Sequence, residues 1–96
     1  MKTPKAIGED TVVSHAAGLV ASDLDEKKVM MNIESGKYFG LDSIGSRIWE
    51  LIEKPHTVRE LVLELLKEYD VEENACRHDV LAFISKLYDQ GLIDIA

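Results

Sequence analysis

Apolar and polar positions change their period near residue 42. Before it, short apolar runs are separated by breaks rich in Gly, Asp and Glu; after it, apolar residues recur every three or four positions. Leu19–Leu24 reads as a strand, Asp25–Lys28 as a turn and Val29–Ile33 as the next strand. Glu34, Ser35 and Gly36 separate that strand from Lys37–Leu41, and a short Gly-containing loop between two apolar-aromatic runs predicts a hairpin. Thr11–His15 reads as a further short extended piece with no assigned role.

Three helices follow. Ile44, Ile48, Leu51 and Ile52 share one face of the first, with Trp49 beside them, Asp42 or Ser43 as cap and Pro55 as stop. Thr57-Val58-Arg59-Glu60 has the form of a capping box: the Thr hydroxyl takes an orphan amide and the Glu carboxylate reaches back. Val58, Leu61, Val62, Leu65, Leu66 and Tyr69 continue as an apolar stripe. The third helix starts near Glu72–Asn74 and runs to about Gln90, with Gly91 as its left-handed terminator. The tail Leu92–Ile95 is apolar enough to fold back on the core. A three-stranded antiparallel sheet followed by three helices predicts an α+β domain, and a hairpin beside such a helical trio is a winged helix-turn-helix. The expected organisation is a flexible arm over 1–10 and one domain over 11–96.

Composition narrows the function. With 96 residues, 46% hydrophobic and 30% charged, the chain fits one folded core and excludes a disordered tail or a fibre. No apolar run reaches the ~18–20 residues that span a bilayer, and the start has no signal-like apolar stretch, so the expectation is a cytoplasmic protein without a membrane partner. The net charge of −7 is uneven. Residues 1–41 hold five Lys against six Asp/Glu, and residues 42–96 hold six Lys/Arg against twelve. An acidic helical half repels phosphate, which argues against nucleic acid even though winged helices often bind DNA.

Catalytic constellations are missing. Cys76 is the one thiol, and His78 lies on the far side of the same helix turn. Cys76 shares a face with Val80, Phe83 and Leu87, so it reads as a small buried apolar residue. His15, His56 and His78 are scattered, the glycines form no phosphate loop, and the carboxylates fall on solvated helix faces. The reading is of a non-enzyme with no cofactor and no metal.

Two features favour peptide binding. Lys37–Leu41, as the last strand of a meander, leaves an edge whose N–H and C=O groups are unpaired; it carries Tyr38, Phe39 and Leu41. On the third helix, apolar positions 76 to 88 cover an arc of about 160°, more than the ~100° that seating on a core requires. An edge strand beside an over-wide apolar helix makes a groove suited to strand addition. Spacing alone leaves open whether a guest peptide, the tail 92–95 or a dimer covers the excess, and a monomer or a weak dimer through the open edge is expected.

The order Met31-Asn32-Ile33-Glu34-Ser35-Gly36-Lys37-Tyr38-Phe39-Gly40-Leu41-Asp42, followed by Gly45 and Ile48-Trp49, resembles the PqqD-like peptide-chaperone family. Thr57-Val58, Glu60-Leu61, Tyr69 and Val71, Asp79-Val80, Phe83-Ile84, Leu87 and Gly91-Leu92 extend the likeness over roughly residues 19–93. Within the family the sequence is most similar to the stand-alone recognition subunits of lasso-peptide biosynthesis. The resemblance implies a non-catalytic adaptor. It binds the leader of a ribosomal precursor peptide as an added strand and delivers it to a leader-cleaving cysteine peptidase; an ATP-dependent macrocyclase acts on the core. It places Tyr38, Phe39, Gly40 and Leu41 on the pairing strand, and Asp79, Val80, Phe83, Ile84 and Leu87 on the facing helix. Lasso leaders typically offer a Tyr, a Pro and a Leu as anchors. Ile44, Ile48, Trp49, Leu61 and Leu65 read as core, and Gly45 as a site of close helix packing. The alternatives are a PqqD-type chaperone that presents its precursor to a radical enzyme and, less in keeping with the charge, a DNA-binding winged helix.

Overall fold

The computed structural model describes residues 7–24 and 27–95. Its first half is built on a small antiparallel sheet. Strands β2 (Leu19–Leu24), β3 (Lys27–Asn32) and β4 (Tyr38–Gly40) form an antiparallel meander in the order β2-β3-β4. The β3–β4 turn forms because Asn32 Oδ1 accepts from the amides of Glu34 and Ser35, and Gly36 takes a φ of 69° that residues with a Cβ avoid. The expected hairpin is therefore present. β3 begins earlier than the sequence pattern placed it, at Lys27; residues 25 and 26 of the predicted turn lie outside the described residues.

The helices are α1 (Ser43–Leu51), α2 (Val58–Glu68) and α3 (Glu73–Asp89). Asp42 caps α1, its Oδ1 accepting from the Gly45 amide at 2.7 Å. The capping box of α2 is complete: Thr57 Oγ1 accepts from the Glu60 amide at 3.1 Å, and Glu60 Oε1 accepts from the Thr57 amide at 2.8 Å. Gly91, at φ 74°, ends α3, and the Leu92 amide closes back on the Leu87 carbonyl. Arg47 on α1 grips Glu68 at the end of α2 through Nε and Nη2, at 2.8 and 2.7 Å. That fork links α1 to the end of α2.

A second small sheet did not show in the hydropathy pattern. β1 (Val12–His15) runs between β5 (His56–Thr57) and β6 (Ile93–Ile95), antiparallel to both. The tail thus does fold back, as a strand. It brings Leu92 and Ile93 into a core with Val13, Met30, Trp49, Leu61 and Ile84. His15 stacks on Trp49 with ring centroids 3.8 Å apart and donates from Nε2 to the Trp49 carbonyl, so β1 is pinned to α1 as well. Of the arm expected over 1–10, residues 1–6 lie outside the described residues. Glu9 and Asp10 pair with Arg59, and Glu9 also pairs with Arg77 on α3.

Candidate functional site

Among the described residues β4 pairs with β3 alone, which leaves its other side open. The register sets Phe39 opposite Met30, with the Lys37 carbonyl accepting from Asn32 and the Leu41 amide donating to Lys28. Backbone groups in a strand alternate sides, so the N–H and C=O of Tyr38 and Gly40 point to the open edge. The unpaired groups expected along this edge thus belong to alternate residues. Residues 39 and 41 are committed to β3, and only 38 and 40 offer an unpaired donor and acceptor. Side chains alternate as well. Tyr38 is 71% exposed on the outer face, whereas Phe39 packs against the core and Leu41 is buried in it.

Gly40 has an ordinary strand conformation, and a Cβ built on it would meet nothing within 4 Å. Neither the turn chemistry nor a neighbouring backbone of this chain calls for glycine there. The ground beside the edge is clear.

The edge ends at a cavity. Asp42, two residues beyond Gly40, lines a space of about 470 Å³ between α1 and α3. Ile44 and Gly45 form its α1 wall; Cys76, Val80 and Phe83 form its α3 wall; Tyr69 and Val71 close the end between α2 and α3. Gly45 lets the helices approach, since a Cβ there would stand 3.1–3.2 Å from the Phe83 ring. The close packing expected at Gly45 is therefore specific: its partner is Phe83.

This geometry sorts the α3 residues that spacing left together. Asp79, Val80 and Phe83 border the cavity. Ile84 and Leu87, expected at the binding surface, are sealed in the core at 0% and 3% exposure. They belong to the same buried cluster as Leu92 and Ile93 and do not line the cavity. Part of the wide apolar arc is thus taken up by Leu92 and Ile93, and part opens into the cavity. Ile44, read as core, is 43% exposed and belongs to the cavity wall, although Gly45 and Ser46 beside it are buried. Ile48, Trp49, Leu61 and Leu65 are core as expected. Tyr69, Val71 and Ala75 were missed as cavity residues; the apolar Tyr69 and Val71 flanking Asp70 were the available signal.

The cavity floor is apolar, and its mouth carries the exposed carboxylates of Asp42, Glu72 and Asp79. Burial, with a smaller push from Asp79, raises the Cys76 thiol above its ordinary value, the opposite of what a nucleophile needs. Among the described residues no group of three His, Cys, Asp or Glu is placed to hold a metal, and no helix is long and apolar enough to cross a membrane.

Comparison with known proteins places this geometry. A solved structure of TbiB1 in complex with the TbiA(beta) leader peptide is 31% identical, covers 84% of this chain and 94% of that one, and superposes with a TM-score of 0.79. A lasso peptide synthetase B1 complexed with its leader peptide shares the fold at 21% identity, with 85% and 96% coverage and a TM-score of 0.77. So does the PqqD part of Methylobacterium extorquens PqqCD, a stand-alone recognition element for ribosomally synthesised and modified peptides, at 20% identity, 93% and 95% coverage and a TM-score of 0.77. No curated protein sequence matches the chain. The sequence model of coenzyme PQQ synthesis protein D matches residues 27–93, from the first residue of β3 to the first of β6. β3, β4, the three helices and the cavity all lie within that span, and the chain belongs to the PqqD family.

Proposed function

We propose that this protein is a non-catalytic adaptor that binds the leader of a ribosomal precursor peptide and delivers it to a leader-cleaving peptidase during lasso-peptide maturation. The observation that carries this reading is the open edge of β4 running directly into an apolar cavity. A guest strand laid along Tyr38 and Gly40 gains backbone hydrogen bonds in any sequence. Sequence choice then comes from the side chain that enters between Ile44 and Phe83, one to two residues (~3–7 Å) further along. That TbiB1, at 31% identity, is a leader-peptide complex supports the same reading.

Titration with the leader of a precursor peptide, if one is found encoded beside this gene, tests it. Saturable 1:1 binding is expected, with most of the affinity lost when the leader's apolar anchors become Ala. Absence of binding to that leader overturns the reading. The match to the PqqD model keeps a second destination in view, presentation of the precursor to a radical enzyme. Neighbouring genes separate the two: a peptidase and a macrocyclase accompany the first, a radical enzyme the second.

A further inference from the structure

The cavity has a charge pattern that its apolar floor does not explain. Its charged lining groups are all carboxylates, those of Asp42, Glu72 and Asp79, and among the described residues no Lys, Arg or His lines it. The three come from separate parts of the chain: the α1 cap, the α3 cap and the second turn of α3. Two of them already have local work, since Asp42 accepts from the Gly45 amide and Glu72 from the Ala75 amide at 2.6 Å. Asp79 makes no hydrogen bond or ion pair among the described residues. It stands one residue before Val80 and four before Phe83, at the edge of the apolar wall. Other acids on the helices are matched, Glu68 by Arg47, Glu73 by Arg77 and Glu64 by Lys67, while Asp89 at the end of α3, like Asp79, has no ion pair among the described residues. What sets Asp79 apart is that its unpartnered charge stands beside an apolar cavity wall.

We infer that the guest segment carries a basic residue beside the apolar residue that fills the cavity, and that Asp79 selects for it. This rests on the strand-addition reading above and deepens it. An incoming Lys or Arg meets three carboxylates of which Asp79 alone has no partner, while an incoming Asp or Glu meets the same three with no cation to offset them. Like-charge repulsion rejects acidic segments as effectively as attraction chooses basic ones. The mouth is solvated, so the preference is modest per residue and weakens with salt.

The test uses the folded chain against a displayed library of random twelve-residue peptides, with Asp79→Asn and Asp79→Lys as parallel baits. Asp79 is exposed and unbonded, so both variants fold. Wild type is expected to enrich peptides with an apolar residue flanked within two positions by Lys or Arg, and to deplete Asp and Glu there. Asp79→Asn keeps the apolar preference and loses the basic one; Asp79→Lys turns it toward Glu. For a selected peptide, Lys→Gln is expected to weaken binding to wild type about two- to fivefold and to leave binding to Asp79→Asn unchanged. An apolar consensus without charge bias, or a bias that survives Asp79→Asn, overturns the inference and leaves strand addition standing. Selected peptides that leave the Tyr38 and Gly40 amide resonances unmoved overturn both.

Discussion

The ring of Phe83 lies against Gly45, where a Cβ would stand 3.1 Å from the ring's Cζ and 3.1 Å from Asp42 Oδ1. Alanine in place of glycine favours a helix by about 1 kcal/mol. Here that gain meets crowding against a ring and a capping oxygen. Phe83 borders the cavity, so the ring has room to move by a few tenths of an ångström. Gly45→Ala is expected to change stability by less than about 1 kcal/mol in a thermal melt. It also pushes Phe83 into the cavity, and peptide titration should show weaker binding. A large loss of stability would mean that the ring is fixed.

Neighbours in sequence separate fold from function on α3. Ile84 is fully buried, and Ile84→Ala should cost roughly 2–5 kcal/mol in denaturant unfolding. Phe83 is partly exposed at the cavity, and Phe83→Ala should cost clearly less in stability yet weaken leader binding about tenfold or more. Equal effects of both on stability would place Phe83 in the core.

This split shows what periodicity can deliver. The Thr57–Glu60 box, the Asp42 cap and the Gly91 terminator are local chemistry, and each is legible within four residues. The 100° step put Val80, Phe83, Ile84 and Leu87 on one broad face, but which part of that face meets core and which meets solvent depends on where β6 returns. The β5-β1-β6 sheet was illegible for the same reason. Strands of two to four residues carry no period, and their pairings join residues more than forty positions apart. Ile44 shows the converse error: its spacing fits the core face, but it belongs to the cavity wall. The open edge was legible, whereas the limit to Tyr38 and Gly40 required the register with β3.

Proline at position 40 isolates the edge. The Gly40 N–H points away from β3, so Gly40→Pro removes no ladder bond of the folded chain, and proline is tolerated on edge strands. The melt should shift little. A guest strand loses one hydrogen bond and meets a ring, so its Kd should rise about tenfold in calorimetric titration. Unchanged affinity would remove strand addition at this edge.

Acid should loosen the helical half. Arg47 holds the Glu68 carboxyl below its usual range, and the Thr57 amide does the same for Glu60. Both groups are more acidic folded than unfolded, so the unfolded chain takes protons first as pH falls. The stability they confer is complete above the ordinary carboxylate pKa of about 4.3 and is lost as pH drops through their lowered folded values. Glu68→Gln should flatten the melting temperature against pH below pH 5. Solvent screening keeps the effect of that exposed pair under about 1 kcal/mol. A pH profile identical to wild type would show that the Arg47 fork contributes nothing.

Amide hydrogen exchange, read residue by residue with and without the cognate leader, bears most directly on the β4 edge. The amides of Tyr38 and Gly40 face open solvent in the free protein, whereas that of Phe39 is already paired with β3. Leader binding should slow exchange at 38 and 40 together and change 39 far less. Slowed exchange elsewhere, with 38 and 40 unchanged at saturation, would contradict the account.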